Sequence, residues 1–340
     1  MNALITGGAG FIGSHLAHSL CEQGVNVTII DDLSQGSLTN LSWRESRHAL
    51  EFVHASVTDA SALRSLVSNA DWVFHLAAQA SVAFSVNQPR EAHQVNLNAA
   101  LELLLLCRET NIKRFVFASS SAVYGDAGDA AIRENTPVCP LSPYGLQKFA
   151  SETYARMFYD LYNVPTVSLR FFNVFGPRQS FSSPYSGVIA KFCTAFVNDE
   201  TPRIFGDGLQ SRDFIFITDI VKALELAAKA PAKDAVGKVF NIGAGKSVTL
   251  LDLLNMLREL SGRELKWEFL PAREGDIRKS LADIRSAEEF LGFTPQVGLF
   301  EGLWETFEYY QLLSDKTPQI CANPCSFLEV PATLKRRATP

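Results

Sequence analysis

The chain has 340 residues, of which 47% are hydrophobic and 20% charged, and its formal net charge is −5. This composition is typical of a globular protein with one large domain and a smaller one. The negative charge argues against nucleic acid as a partner. We find neither a run of 18 apolar residues nor a signal peptide, and we therefore expect no membrane partner.

The cysteine pattern indicates reduced thiols. Six cysteines, at positions 21, 107, 139, 193, 321 and 325, include no Cys-x-x-Cys pair. We expect a cytoplasmic protein without a metal site. Cys321 and Cys325 in the tail are close enough to oxidise together or to bind a metal. Two incidental tail cysteines are the favoured interpretation, because no histidine lies near them.

The chain opens with a strand, a glycine turn and a helix. Asn2–Ile5 is an apolar strand, Gly7, Gly10 and Gly13 follow it, and 14–20 has apolar residues at helical spacing. In a dinucleotide-binding fingerprint such glycines let the backbone approach a pyrophosphate, and the helix N-terminus stabilises its charge. The spacing Gly-x-x-Gly-x-x-Gly favours the short-chain dehydrogenase variant of this fingerprint.

The next strand, 25–30, ends in Asp31 and Asp32, about 20 residues beyond the glycines. An acidic residue at this point can accept hydrogen bonds from both ribose hydroxyls and repels a 2′-phosphate. The sequence therefore predicts NAD rather than NADP as the cofactor.

Alternating strands and helices predict an α/β fold with a doubly wound parallel sheet, the Rossmann architecture. The predicted strands are 2–6, 25–30, 50–54, 71–76, 113–119 and 165–172. We expect a cofactor-binding domain over 1–175, whose core can take back later segments, and a smaller C-terminal α/β substrate domain over 176–315. A Pro-rich basic tail follows over 316–340. The cofactor crevice should lie at the carboxyl ends of the strands.

Tyr144 and Lys148 are four residues apart in Ser142-Pro-Tyr-Gly-Leu-Gln-Lys148, and therefore share one helix face. A free tyrosine has a pKa of about 10, but a nearby ammonium and a cationic nicotinamide ring favour the phenolate. We expect a lowered pKa that makes Tyr144 a general base. The pair alone also fits an exposed helix face, but the serines at 119–121 and the glycine turn favour a catalytic role.

These motifs resemble an extended short-chain dehydrogenase/reductase of the nucleotide-sugar epimerase group, close to UDP-glucose and UDP-N-acetylglucosamine 4-epimerases. The resemblance runs from about 2 to 310. It includes His75-Leu-Ala-Ala78, Leu169-Arg-Phe-Phe-Asn-Val-Phe-Gly-Pro-Arg178, Phe205-Gly-Asp-Gly-Leu-Gln-Ser-Arg-Asp-Phe214 and Arg273-Glu-Gly-Asp-Ile-Arg278.

The resemblance implies a set of binding residues. Those implied for NAD are Gly7, Gly10, Phe11, Ile12, Gly13, Asp31, Asp32, Ser56, Val57, Leu76, Ala77, Ala78, Asn96, Tyr144, Lys148 and Phe172. Those implied for a UDP-sugar are Ser81, Val82, Ser120, Tyr144, Asn173, Val188, Arg212, Arg273, Asp276 and Ser280. Ser56 departs from the family pattern, since an Asp that reaches the adenine amino group is usual there.

The catalytic hydroxyl is either Ser120 or Ser121. Counting back from Val-Tyr-Gly selects Ser120, whereas counting along the serine run selects Ser121, and we prefer Ser120. Sugar dehydratases place an Asp-Glu pair directly after this hydroxyl, but Ser121 and Ala122 follow here. Dehydration would lack its acid and base.

The resemblance thus implies an isomerase that epimerises C4 of a UDP-hexose through a 4-keto intermediate with a retained NAD. Related alternatives are a UDP-glucuronate epimerase or decarboxylase, or another nucleotide-sugar-modifying enzyme of the group. Glucuronate 4-epimerases typically carry Thr at the position of Asn173. A non-enzymatic NAD-binding regulator is disfavoured, because such proteins usually lose the Tyr or the Lys.

Two further expectations concern the sugar and the assembly. Ser280 falls where these epimerases place a residue beside the C2 substituent, and a small residue there leaves room for an N-acetyl group. Apolar stripes near 91–110, including Leu101, Leu104 and Leu105, and near 144–163 match helices that pair across a two-fold axis in this group. We therefore expect a homodimer through a four-helix contact.

Overall fold

A computed structural model describes residues 1–180, 187–272 and 277–320, with side chains described as far as residue 314 in the last range. Within these ranges no helix is both long and apolar enough to cross a membrane. The four described cysteines, at 21, 107, 139 and 193, are free. Cys321 and Cys325 lie outside the described residues.

Strands and helices alternate through much of the described chain. The strands are β1 Asn2–Thr6, β2 Asn26–Asp31, β3 Leu50–His54, β4 Trp72–His75, β5 Arg114–Ser120, β6 Thr166–Phe171, β7 Asn173–Phe175, β8 Arg203–Phe205, β9 Ser211–Phe216, β10 Lys238–Ile242, β11 Ser247–Thr249 and β12 Glu268–Leu270. The helices are α1 Phe11–Glu22, α2 Ala60–Ser68, α3 Val82–Asn87, α4 Pro89–His93, α5 Ala99–Arg108, α6 Pro143–Tyr162, α7 Val188–Val197, α8 Ile217–Lys229, α9 Ala232–Ala235, α10 Leu250–Ser261, α11 Arg285–Leu291 and α12 Leu299–Ile320.

A seven-stranded parallel sheet forms the centre, in the order β10-β6-β5-β4-β1-β2-β3. Its strands are apolar on both faces because helices cover both faces, as is usual for parallel sheets. One buried cluster includes Ile5, Ile29 and Phe74, and a second includes Leu4, Ile30 and Val73. The predicted Rossmann fold is thereby confirmed.

The seventh strand comes from late in the chain. Lys238–Ile242 pairs in parallel with β6, although this strand lies within the segment 176–315 that we expected to cover the substrate. The rest of that segment forms two small sheets, β11-β9-β7 and β12-β8, together with α7 and α10. The segment 277–284 lies beside the small sheets, since Ser280 N–H donates to the Ser211 carbonyl.

Two long helical segments cover one face of the central sheet. A π-helical turn, Gln94–Asn98, joins α4 to α5, and α6 packs beside them. Leu104 was predicted in an outer stripe of the first segment, but it is buried under the helix against the sheet. Leu101 and Leu105 are only partly buried.

Candidate active site

A cleft of about 780 Å³ opens at the carboxyl ends of β1, β2 and β4. The described residues that line it include Gly7, Gly10, Phe11, Ile12, Gly13, Asp31, Asp32, Val57, Leu76, Ala77 and Ala78, all predicted for the cofactor. Ends of parallel strands next to a helix N-terminus are the usual place for a dinucleotide.

The glycine turn after β1 forms part of the cleft wall, and the backbone around it leaves no room for side chains at Gly7 and Gly13. Gly7 has a φ of +70°, and a Cβ on it would lie 2.8 Å from the Ala77 backbone. A Cβ on Gly13 would lie 2.2 Å from the Gly7 carbonyl oxygen. α1 starts after Gly10, which offers no side-chain cap to the N–H groups of the first turn. These free donors fit an anionic group such as the diphosphate of NAD.

Asp31 is buried at the end of β2, where its carboxylate accepts the N–H of Ala9 at 2.9 Å and of Leu33 at 2.8 Å. Burial raises the pKa of Asp31, while these two hydrogen bonds oppose the rise. Gly36 packs over the carboxylate, since a Cβ there would lie 2.8 Å from Oδ1. Asp32 accepts the N–H of Ser34 and lines the same cleft.

The catalytic candidates do not line this cleft themselves but lie next to its floor. In the sheet, His75 of β4 is paired with Phe117 of β5, so the residues that follow His75 lie beside Ala118–Ser120. Asn96 makes a second link: its amide bonds the Gln79 backbone in the cleft wall, and donates to Gln147 of α6 at 2.8 Å.

Ser120, Tyr144 and Lys148 meet where β5 ends against α6. The Ser120 side chain forms a hydrogen bond with Tyr144 and also accepts the Ala122 N–H. Lys148 Nζ donates to the Ala118 carbonyl at 2.8 Å and lies 5.9 Å from the centre of the Tyr144 ring. Ser121 begins the short 3-10 turn that follows β5.

Burial shifts the pKa values of Tyr144 and Lys148 in the directions that favour the neutral form of each side chain. Burial lowers the pKa of Lys148 to about 7. Burial also raises the pKa of Tyr144, and the hydrogen bond from Ser120 only partly opposes this rise. In the protein groups alone desolvation outweighs the Ser120 hydrogen bond, and the lowered pKa of Tyr144 beside a bound nicotinamide ring stays a prediction.

A buried polar network lies directly behind the site. Ser119 Oγ donates to Glu152 at 2.7 Å, and Arg170 of β6 forms a salt bridge with the same carboxylate. Arg170 also donates to the Tyr124 hydroxyl, which in turn donates to Asn241 of β10. Each of these buried charges has a partner, so the network fixes β5, β6, β10 and α6 relative to one another.

Several residues predicted to bind ligands lie outside the lining of the cofactor cleft and have other contacts in the structure. Ser81 caps α3 by accepting the Phe84 N–H, and Val82 is exposed at the start of that helix. The Ser56 hydroxyl contacts Thr58. Phe172 is buried in an apolar cluster with Val123 and Tyr124, outside the cleft.

The other described residues predicted for the UDP-sugar lie on or near the small sheets. Asn173 of β7 donates to the Asp213 carbonyl at 3.1 Å, and Arg212 is the preceding residue on β9. Ser280 is buried beside β9, and Val188 begins α7. Burial raises the pKa of Asp213 to about 6, although its carboxylate accepts three backbone N–H groups. Arg273 and Asp276 lie outside the described residues.

The cleft has wall residues that the sequence reading did not assign. Gly36, Arg178, Gln179, Tyr309 and Leu313 all line it. Arg178 ends the motif Phe175-Gly-Pro-Arg178, and this position was a usable signal. Nothing in the local sequence of α12 connects Tyr309 to a glycine turn at the other end of the chain.

Three features lie together in this structure: a glycine turn at the start of α1, the buried Asp31 at the end of β2, and the group of Ser120, Tyr144 and Lys148. This combination defines a nicotinamide-dependent enzyme of the Rossmann class. The chain belongs to the NAD dependent epimerase/dehydratase family, whose model matches residues 3–243.

Known relatives support this assignment along the whole fold. The chain is 38% identical to the UDP-glucose 4-epimerase of Mycolicibacterium smegmatis over 313 residues, 92% of this chain and 99% of that protein. It is 41% identical to a UDP-N-acetylglucosamine 4-epimerase of Methanobrevibacter ruminantium solved with UDP-N-acetylmuramic acid, with a TM-score of 0.87 over 92% and 98% of the chains. It is also 31% identical to a Bacillus cereus UDP-glucuronic acid 4-epimerase that was solved with UDP-glucuronic acid and NAD. The TM-score of that comparison is 0.85, and the match covers 92% of this chain and 100% of that chain. The chain is an isomerase of the NAD-dependent UDP-sugar 4-epimerase family, and its cofactor is NAD.

We predict that Asp31→Ser relaxes the preference for NAD over NADP by about tenfold or more, since like charges about 4 Å apart repel by about 1–4 kcal/mol. Titration of cofactor-free protein with both cofactors measures the ratio. Asp32→Ser is the matched control and should change the ratio much less. Equal affinity of the unmutated protein for NAD and NADP would contradict the role of Asp31.

We predict that Tyr144→Phe lowers turnover by roughly 10²–10⁴-fold, because it removes the proton acceptor and keeps the ring. Steady-state assays measure turnover, and the NAD content of the purified variant should stay at the level of the unmutated protein. Tyr162→Phe, on an exposed tyrosine of the same helix, is the control. Near-normal turnover in Tyr144→Phe would show that another group is the base.

Proposed function

We propose that this protein interconverts UDP-N-acetylglucosamine and UDP-N-acetylgalactosamine, and also accepts UDP-glucose and UDP-galactose. The observation that carries the proposal is the contact of Ser120, Tyr144 and Lys148 beside the cofactor cleft. This arrangement can hold a sugar hydroxyl and remove its proton. The family assignment supports C4 as the reacting position.

In the proposed reaction Tyr144 accepts the proton of the C4 hydroxyl, and Ser120 hydrogen-bonds the C4 oxygen. NAD, when bound, supplies the hydride acceptor and donor together with a positive charge near the phenol. That charge offsets the burial that otherwise keeps Tyr144 protonated. The 4-keto sugar would then turn, and Tyr144 would return the proton to the C4 oxygen when the sugar is reduced again.

The position of Ser280 supports acceptance of N-acetylated sugars. Ser280 is held next to β9 by its N–H bond to Ser211, at 3.1 Å. The neighbouring Ala282 packs in one apolar cluster with Val123 and Phe172, residues that adjoin the catalytic serines and Asn173. This position near the residues predicted for the sugar supports our proposal that the small Ser280 side chain accommodates an N-acetyl group.

The direct test is incubation of purified protein with single UDP-sugars without added NAD. We expect a C4 epimer from UDP-N-acetylglucosamine and from UDP-glucose, detected by chromatography of the nucleotide sugars. UDP-glucuronate serves as the discriminating substrate. Epimerisation or decarboxylation of UDP-glucuronate alone would replace our proposal by the glucuronate alternative.

We predict that Ser280→Tyr selectively depresses activity on the N-acetylated pair. Added volume at a packed site costs about 1–3 kcal/mol, or about 5- to 150-fold in kcat/KM, while UDP-glucose should be largely spared. The ratio of kcat/KM for the two substrates is the measurement. Ser247→Tyr, on the exposed first residue of β11, is the control. A variant that loses both activities equally would refute the pocket argument.

We also propose that the protein is a homodimer through α5 and α6. Leu146, Met157 and Leu161 are large apolar side chains exposed along one side of α6. Leu101 and Leu105 of α5 are partly exposed beside them. Two such helix pairs related by a two-fold axis would form the four-helix contact and cover this surface.

We predict a dimer by light scattering at micromolar concentration, and a monomer when Met157→Glu and Leu161→Glu are combined. The charges face solvent in the monomer and would be buried in the dimer, at a cost of several kcal/mol. Phe269→Glu, on an exposed residue of β12, is the control and should stay dimeric. A monomeric unmutated protein would rule out the dimer.

A further inference from the structure

Arg178 is a partly buried cation in the wall of the cofactor cleft. Burial lowers the pKa of its guanidinium to about 10. Among the residues whose side chains the structure describes, no carboxylate forms an ion pair with it. A desolvated guanidinium without a counter-ion is costly, and it indicates that an anion is bound there in the working protein.

The backbone of Arg178 is held in an unusual conformation. Its φ is +67°, which residues with long side chains rarely adopt. His15 Nε2 donates to the Pro177 carbonyl at 2.9 Å, and the hydroxyl of Tyr309 on α12 accepts a hydrogen bond from the backbone N–H of Arg178. Such a conformation, held from two sides by distant parts of the chain, marks a side chain whose position matters for function.

The guanidinium lies beside the first turns of α1. Arg178 Nη1 is 3.4 Å from Ser14 Oγ, while Gly10 and Phe11 of the uncapped helix start line the same cleft. His15 does not add a second charge, because burial and Arg178 lower its pKa to about 3. The free N–H groups of the helix start and the arginine therefore lie close enough together to bind one anionic group.

We propose that Arg178 binds the diphosphate of NAD as its counter-ion, and that Tyr309 is a positioning residue that holds Arg178 at the cleft. The two forked N–H edges of a guanidinium match phosphate oxygens, and the diphosphate is the anionic part of NAD. The proposal concerns the cofactor and is independent of which UDP-sugar is the substrate.

Arg178→Asn is the decisive variant, because asparagine tolerates a positive φ and removes the cation. Calorimetric titration of cofactor-free protein would use NAD, ADP-ribose and adenosine. We expect NAD and ADP-ribose to bind at least about tenfold more weakly, and adenosine, which has no phosphate, to bind as before. Without cofactor, the variant should melt at the same temperature as the unmutated protein or higher, since an unpaired cation is gone.

Three companion variants sharpen the test. Arg178→Lys keeps the positive charge but loses the paired N–H donors of the guanidinium, so its affinity for NAD should fall less than that of Arg178→Asn. Tyr309→Phe should weaken NAD and ADP-ribose but not adenosine. Arg47→Gln changes an exposed arginine that pairs with Glu22, and it should bind all three ligands normally.

Two results would overturn the proposal. One is an Arg178→Asn protein that binds NAD with unchanged affinity. The other is a variant that loses affinity for adenosine as strongly as for NAD and melts at a lower temperature without cofactor, which shows a purely structural role. Neither result depends on epimerase activity, so a failure here is distinct from a failure of the proposed function.

Discussion

The contact between the end of β5 and α6 is the constraint on which the active site depends. Three successive residues of β5 each contact a different residue of α6: Ala118 accepts from Lys148, Ser119 donates to Glu152, and Ser120 bonds Tyr144. Because Tyr144, Lys148 and Glu152 are one helical turn apart, a single helix face carries all three. These direct contacts between strand and helix fix the tyrosine relative to the serine, although a long connection separates the two elements in the chain.

This tight contact explains the electrostatics of the site. It removes water from Tyr144 and Lys148, and desolvation shifts the pKa of each toward the neutral form. A tyrosine in this state is a weak base. A positive charge on a bound ligand would favour the phenolate, so proton removal by Tyr144 would be linked to the presence of the oxidised cofactor.

Much of the fold could be predicted from the sequence, because most of the central strands are buried on both faces and are therefore rich in apolar residues. The glycine turn, Asp31, and the Tyr144–Lys148 spacing are also local patterns. The return of β10 to the sheet was not specifically predicted, since its pairing with β6 depends on tertiary contacts. Leu104 was misplaced because α5 is apolar on more than one side, and periodicity alone did not identify the side that faces the sheet.

The last helix connects the cofactor cleft with the second half of the molecule. Leu303 and Phe307 of α12 are buried in the large core, while Tyr309 and Leu313 line the cleft. A wall anchored in this way cannot move without exposing core side chains, and that costs free energy. A 4-epimerase has no net redox change, so each turnover must begin and end with the same oxidised cofactor. A cleft with one wall on a core-anchored helix suits that requirement, because the cofactor need not exchange between turnovers.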